Sequence, residues 1–316
     1  MTSRRLAVSL ILAGVAVAGC GVVFDRRAAV REAEAEVKWP PTGQFASVEG
    51  KRVHAHVQGV GPDVVLIHGA GGNARDFTFD LVGRLASDFR VIAFDRPGFG
   101  YSDDLGDAGA SPLMQAAHLQ KAAALLGVTR PVVLGHSYGG SVAMAWALTD
   151  PGQTRGVVVV SGATLPWEGG LAAWYHVTGG RIGGATVVPL LTALVPEART
   201  RSALDGIFAP DSVPAGYGAY VGPGLTLRRT SLRANGRQVL ALKAHLAAMA
   251  PNYPKLDTPF ELIHGTADQI VSAAVHSIPL SKMLPDARLT LIEGAGHMPH
   301  HSHADTVMAA IARLAR

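Results

Sequence analysis

Cysteine is nearly absent from this 316-residue chain, where Cys20 stands alone. That excludes an internal disulfide framework and a cysteine-built zinc site. Charge is sparse too. Asp, Glu, Lys and Arg supply 16% of the residues against 48% hydrophobic, and the formal net charge is only +4. No long Lys/Arg cluster occurs, so nothing points to a nucleic-acid partner. A chain this apolar does not read as disordered beyond its ends. Its length suits one large α/β domain or two modest ones, and its 37 glycines suit many tight turns.

The lone cysteine has a telling place. In "MTSRRLAVSLILAGVAVAGCGVVF", Arg4 and Arg5 precede an apolar stretch from Leu6 to Ala18, and small residues lead into Cys20. The pattern resembles a bacterial lipobox, with the segment cleaved and Cys20 lipidated. The apolar run also continues to Phe24, which reaches the ~20 residues of a bilayer-spanning helix. Arg26 and Arg27 would then hinder translocation of that flank. Either reading sets residues 1–24 outside the globular fold and ties the protein to a membrane through its N-terminus. Residues 25–44 mix alanine with alternating charge. They are expected to be a short solvated helix or linker, stopped by Pro40 and Pro41.

From residue 45 onward, strand and helix alternate. "FASVEGKRVHAHVQG" reads as a hairpin about Glu49-Gly50-Lys51. "DVVLIHG", "RVIAFD", "PVVLGH" and "GVVVVSG" read as buried strands. "DFTFDLVGRLASD" has helical spacing, and Ser111 to Gly127 starts with an N-cap and a proline. Continuous apolar strands separated by helices imply a mostly parallel sheet covered on both faces. The alternation stops after Gly162. Residues 163–254 are helical in places and carry Trp167, Trp174, Tyr175, Phe208, Tyr217 and Tyr220, whereas 255–316 resume with "PFELIHG" and "RLTLIEG". The expected organisation is an α/β core over 45–162 and 255–316, with a helical lid inserted over 163–254.

One strand ends in "GHSYGG". Gly135-His136-Ser137-Tyr138-Gly139 fits G-x-S-x-G between a strand and a helix. A serine on such a sharp turn has a strained backbone, so small residues flank it, and its hydroxyl rises above the carboxyl edge of the sheet. A serine hydroxyl needs a base to become a nucleophile. His297 follows the last predicted strand, and it needs an anion to orient it. Asp268 follows the penultimate strand. The chain order Ser137, Asp268, His297 is the order expected of this architecture. A tetrahedral oxyanion also needs donors. "IHGAGGN", with His68, Gly69 and Gly71, forms a glycine-lined loop, and the N–H groups of Ala70 and Tyr138 are the candidate donors. His68 and His136 are expected to pack or to bond the turns.

These motifs, with "FDRPGFGYSD" (Phe94 to Asp103) and "GAGHMPH", resemble the α/β-hydrolase superfamily in its lidded esterase and C–C hydrolase-like branch over roughly 45–316. The resemblance implies an α/β-hydrolase fold and a Ser-His-Asp triad that works without a cofactor on a small-molecule ester. It treats Asp95 and Arg96 as structural loop residues. Superfamily members that use an aspartate nucleophile are disfavoured by Ser137. Cleavage of a C–C bond in a β-diketone-like substrate, acyl transfer and perhydrolysis stay open on the same triad.

Three other readings compete. Gly69 to Ala74 also fits G-x-G-x-x-A with Asp95 ending the next strand, the outline of a dinucleotide site. The preceding hairpin is out of place for that, and Ser137, Asp268 and His297 would go unexplained. His297, His300, His301 and His303 form a histidine cluster, but with no cysteine and no carboxylate at helical spacing the expectation is solvated loop histidines and no metal. A binding module without catalysis would need a broken triad. The arginines of "LRRTSLR" are expected to form a solvated face.

Overall fold

The computed structural model describes residues 21–316. Cys20, and with it most of the lipobox or anchor segment, lies outside the described residues. Residues 21–38 are helical (α1). Then follow β1 (Gln44–Val48), β2 (Lys51–Gln58), β3 (Asp63–Ile67), α2 (Arg75–Thr78), α3 (Leu81–Leu85), β4 (Arg90–Phe94), α4 (Pro112–Leu125), β5 (Val132–His136), α5 (Tyr138–Thr149) and β6 (Gly156–Val160). Helices α6 (Ala173–Gly179), α7 (Arg181–Leu194), α8 (Glu197–Phe208), α9 (Tyr217–Tyr220), α10 (Pro223–Thr226) and α11 (Arg229–Met249) come next. The chain closes with β7 (Phe260–Gly265), α12 (Ser277–Met283), β8 (Ala287–Ile292), α13 (Pro299–Ser302) and α14 (Ala304–Leu314).

The eight strands form one sheet in the order β1-β2-β4-β3-β5-β6-β7-β8. The β1–β2 and β2–β4 pairs are antiparallel, and the other pairs are parallel. The hairpin turns at Glu49 and Gly50, both at positive φ, as a two-residue connection requires. Strands β3, β5, β6 and β7 are buried along their whole length, which is why they read as unbroken apolar runs. Alternate residues serve two cores. Val65, Ile67, Val133 and Val159 pack with Leu119 of α4 and Val142 of α5 on one face, joined by Leu242 and Leu246 of α11. Val64, Leu66, Leu134 and Val158 pack with Leu81, Leu85, Val307 and Ile311 on the other. Burying a side chain of this size contributes about 1.5–3 kcal/mol.

Local signals set the helices. Ser111 caps α4, its Oγ accepting the Met114 N–H at 3.4 Å, and Pro112 takes the first helical position. The stretch 76–88, expected as one helix, is two short ones, interrupted at Asp80 where φ is −145°.

Two expectations need correction. The segment 25–44 is helical to residue 38 and mostly exposed, but one side of it docks on the body of the protein instead of standing free. Ala28 and Ala35 of α1 and the adjoining Trp39 are buried. The Trp39 Nε1–H donates to the Ala219 carbonyl at 2.8 Å. The arginines of "LRRTSLR" are not a solvated face either. Arg229 forks onto Glu32 at 2.6 and 3.0 Å and also pairs with Asp25, while Arg228 reaches Glu36 at 2.9 Å. Opposite charges on α1 and the start of α11 fasten the two helices together.

Candidate active site

Ser137 links β5 to α5 with φ 53° and ψ −119°, a conformation that L-residues rarely hold. The surroundings over-determine it. Its N–H donates to Val160 O at 3.0 Å, and its carbonyl accepts from Gly140 at 3.0 Å and Ala163 at 3.1 Å. The glycines are obligatory by contact. A Cβ on Gly135 would stand 2.1 Å from Gly139 O, and one on Gly139 would stand 2.1 Å from Ile67 O.

His297 and Asp268 meet as expected. The His297 Nδ1–H donates to Asp268 Oδ2 at 2.7 Å. Oδ1 accepts the N–H groups of Ile270 and Val271 at 2.8 and 2.9 Å. A residue not foreseen joins them. His264 Nε2 lies 3.2 Å from Asp268 Oδ2 while bonding Val271 O at 2.7 Å. Burial alone would raise the Asp268 pKa. The hydrogen bonds from His264 and His297 override it and hold the carboxyl far below the usual range. His136, the residue before Ser137, donates its Nε2–H to the His297 carbonyl at 2.9 Å, and the two rings lie 4.9 Å apart. His297 is thereby held beside the serine turn. No hydrogen bond joins Ser137 Oγ to His297 among the described residues; such bonds often tighten only once a substrate is bound.

The loop after β3 lies against the serine. A Cβ on Gly69 would come 3.1 Å from Ser137 Cβ. Gly71 has φ +64°, and its carbonyl accepts the Thr226 hydroxyl of the lid at 3.0 Å. His68 bonds the turn. Its Nδ1–H donates to Gly69 O at 2.8 Å, and its Nε2 accepts the Arg96 N–H at 2.9 Å. Burial, with Arg96 beside it, pulls the His68 pKa down to about 4 and keeps the ring neutral. Asp95 is a structural hub. It accepts from Ala74 N, Tyr101 N and His54 Nδ1 at 2.7–2.8 Å. These bonds satisfy the Asp95 carboxylate within the protein.

The histidines after His297 depart from expectation. The side chains of His300 and His301 are buried, not solvated, because they converge on Asp76 of α2. Asp76 Oδ2 bonds His300 Nε2 at 3.1 Å, and Oδ1 bonds His301 Nε2 and the Tyr217 hydroxyl, both at 2.8 Å. The three ligand atoms lie within 4.8 Å of one another, close enough to share a cation. Proton bookkeeping favours hydrogen bonds instead. Each Nε2–H donates to the carboxylate, and three donors satisfy it. A metal would need both Nε2 lone pairs, and would leave a buried Nδ1–H on His300 with no acceptor, since that atom has no partner.

The lid touches both flanks of the serine. Besides Thr226 on Gly71, Asp211 accepts the Gly296 N–H at 2.9 Å. A Cβ on Gly296 would stand 2.4 Å from Ala209 O. Ser137 and His297 are consequently 9% and 3% exposed. Of the lid aromatics, Tyr217 is buried against Phe208 and Phe79, whereas Trp174 is 43% exposed.

A mostly parallel sheet, a strained serine at a strand–helix turn and a carboxylate-held histidine at the same edge define a class. Residues 64–310 match the alpha/beta hydrolase family, and the chain belongs to it as a hydrolase of small molecules. It is 28% identical over 285 residues to 2-hydroxymuconate semialdehyde hydrolase of Pseudomonas putida, covering 84% of this chain and 91% of that one. In structure it resembles an esterase from Exiguobacterium antarcticum (TM-score 0.67, 18% identity, 86% of this chain and 99% of that one). It also resembles a bacterial membrane phospholipase A (TM-score 0.66, 22% identity, 98% and 99%).

Proposed function

We propose that the protein is a serine hydrolase that cleaves a carboxylic ester through an acyl-enzyme. Ser137 Oγ attacks the carbonyl carbon, and His297 Nε2 takes the hydroxyl proton. Asp268 holds the opposite Nδ1–H and stabilises the imidazolium. The N–H groups of Ala70 and Tyr138 receive the oxyanion; the second begins α5, where helix N–H groups lack partners and the dipole favours negative charge. His297 then protonates the leaving alcohol. Water, deprotonated by His297, attacks the acyl carbon, and Ser137 Oγ departs with that proton. The observation that carries this reading is the forced φ of 53° at Ser137 beside the 2.7 Å His297–Asp268 bond.

A fluorophosphonate probe should label the protein, and Ser137→Ala should abolish labelling and turnover together. Labelling that survives the substitution would remove Ser137 from its role. A panel of p-nitrophenyl esters of graded acyl length then sorts the substrate. The second reading, C–C bond hydrolysis of a vinylogous β-diketone, is favoured by the Pseudomonas putida relative. A 2-hydroxy-6-oxo-dienoate turned over faster than every ester would establish it instead.

We also propose that this chemistry takes place at a membrane. The apolar stretch from Leu6 to Phe24 leads into α1, and the lid helix α7 exposes Ile182, Leu190 and Leu194. The intact mass of membrane-extracted protein distinguishes a lipidated Cys20 start from an uncleaved chain.

A further inference from the structure

We propose that Arg96 is the positioning residue that forms the oxyanion hole, by fixing the Gly69–Ala70 peptide and bracing Tyr138. The inference rests on the serine-hydrolase reading above and adds a residue that reading does not use.

Arg96 is wholly buried, and its partners are all neutral. Nε donates to His68 O at 2.9 Å, and one terminal nitrogen donates to Gly69 O at 2.9 Å. The other terminal nitrogen donates to Gln115 Oε1 at 2.9 Å and Gln238 Oε1 at 2.6 Å. Burial lowers its pKa to about 10, so it stays charged at neutral pH. A buried cation with no carboxylate partner is costly to maintain, and removing any of its acceptors costs more than a neutral bond would.

That cost has a geometric return. A trans peptide is planar, with its C=O and N–H pointing in opposite directions. Two consecutive carbonyls, His68 and Gly69, are drawn onto one guanidinium fork. The N–H of Ala70 belongs to the same peptide as the Gly69 carbonyl and so points away from Arg96, while Gly69 itself packs against Ser137. The His68 Nδ1–H at 2.8 Å and the Gly72 N–H at 3.4 Å add two further donors on Gly69 O. Rotating this peptide would break all three bonds and bring a carbonyl lone pair to the place meant for an oxyanion.

The same guanidinium lies 4.3 Å from the centre of the Tyr138 ring, whose backbone N–H is the other candidate donor. Phe99 faces it at 4.6 Å. One side chain therefore sets both halves of the hole, the first through a carbonyl and the second through a stacked ring. Gln238 lies on α11 and also donates to Pro97 O at 2.9 Å, so the lid helix completes the bracket.

The test is a double-mutant cycle. Arg96→Met removes the fork at similar volume, and Arg96→Lys keeps the charge without the paired geometry. Each should lower kcat on a p-nitrophenyl ester about 10²–10³-fold, the loss expected for one oxyanion donor, with KM changed less than about threefold. Affinity for a boronic-acid transition-state mimic should fall by the same factor as kcat. Ala70→Pro deletes the N–H itself, and Arg96→Lys added to it should cost little more, because both act on one donor. Losses that multiply would assign Arg96 a general structural role and overturn the proposal. So would a folded Arg96→Lys with kcat within threefold of the parent; this variant serves where Arg96→Met does not fold. Ser137→Ala separates the two claims. If it is inactive while the Arg96 variants turn over normally, this inference alone fails. If it stays active, the serine-hydrolase reading fails.

Discussion

The Tyr217 hydroxyl, on the lid, donates to Asp76 Oδ1, on the core, over 2.8 Å, and the same oxygen accepts from His301 at 2.8 Å. One buried carboxylate thus joins the lid to the loop that carries His297. Burial would raise its pKa, but His300 and His301 hold it well below the usual value. Tyr217→Phe removes only the lid's bond to this charge. A hydrogen bond to a charged group contributes about 1.5–3 kcal/mol. We expect a lower Tm by differential scanning calorimetry and faster proteolysis within 163–254. An unchanged Tm would show that the lid is held elsewhere.

Asp76→Asn is the harsher change. The carboxamide keeps one acceptor oxygen and presents an NH2 to a ring nitrogen that already donates. We expect a loss larger than that of Tyr217→Phe, and larger still for Asp76→Leu, which leaves two imidazole donors buried without acceptors. Urea unfolding midpoints rank the three, and a reversed order would contradict the network.

Acid should unfold the protein earlier than its carboxylates alone would dictate. Burial lowers His68 and His276 to about 4 and lowers His136 and His300 as well. An unfolded histidine takes its proton near pH 6.5. For a group whose folded pKa is depressed, stability is complete above the unfolded value and is lost as pH falls toward the folded one. The window for His68 and His276 is therefore pH 6.5 down to about 4. Each contributes a slope of up to about 1.4 kcal/mol per pH unit there. Asp76 and Asp268 add losses only below the usual carboxylate value of about 3.9. Urea midpoints that stay flat from pH 7 to 5 would be incompatible with these neutral histidines.

Ser137 should be a site where function opposes stability. Its φ of 53° suits glycine. Strain of this kind costs about 1–3 kcal/mol, less the ~0.5–1 kcal/mol of extra unfolded-state freedom that glycine brings. Ser137→Gly should therefore melt above Ser137→Ala, with both inactive. Equal melting temperatures would mean the turn is not strained.

The sequence made this turn legible because everything it needs is local. Glycines, a strand before and a helix after lie within "VVLGHSYGGSVAMAWAL". Asp268 and His297 were legible for the same reason, each just past its own strand. The Asp76 network was not, because 224 residues separate its carboxylate from His300 and no local pattern ties them. The doublet His300-His301 was visible, but its burial came from the fold. Arg96 was visible as a loop residue, yet its key partners are main-chain carbonyls, which no side-chain motif records. The docking of α1 left one faint trace, Ala28 and Ala35 two helical turns apart in a charged segment.

The most exposed apolar surface of the lid yields a prediction about membranes. Helices α6 and α7 meet at a bend of 98°. On α7, Ile182, Leu190 and Leu194 are 82%, 37% and 49% exposed and share a face at multiples of four residues, and Trp174 and Val177 of α6 are exposed as well. Soluble monomers rarely expose such clusters without a partner. Trp174 is a built-in reporter, since Trp39 and Trp146 are buried and Trp167 is partly buried against the core. Vesicles of brominated phosphatidylcholine should quench part of the tryptophan fluorescence of the full chain. Trp174→Phe should remove most of that quenching, and Ile182→Asp with Leu190→Asp should weaken it. Quenching equal in the parent and in Trp174→Phe would place this face away from lipid.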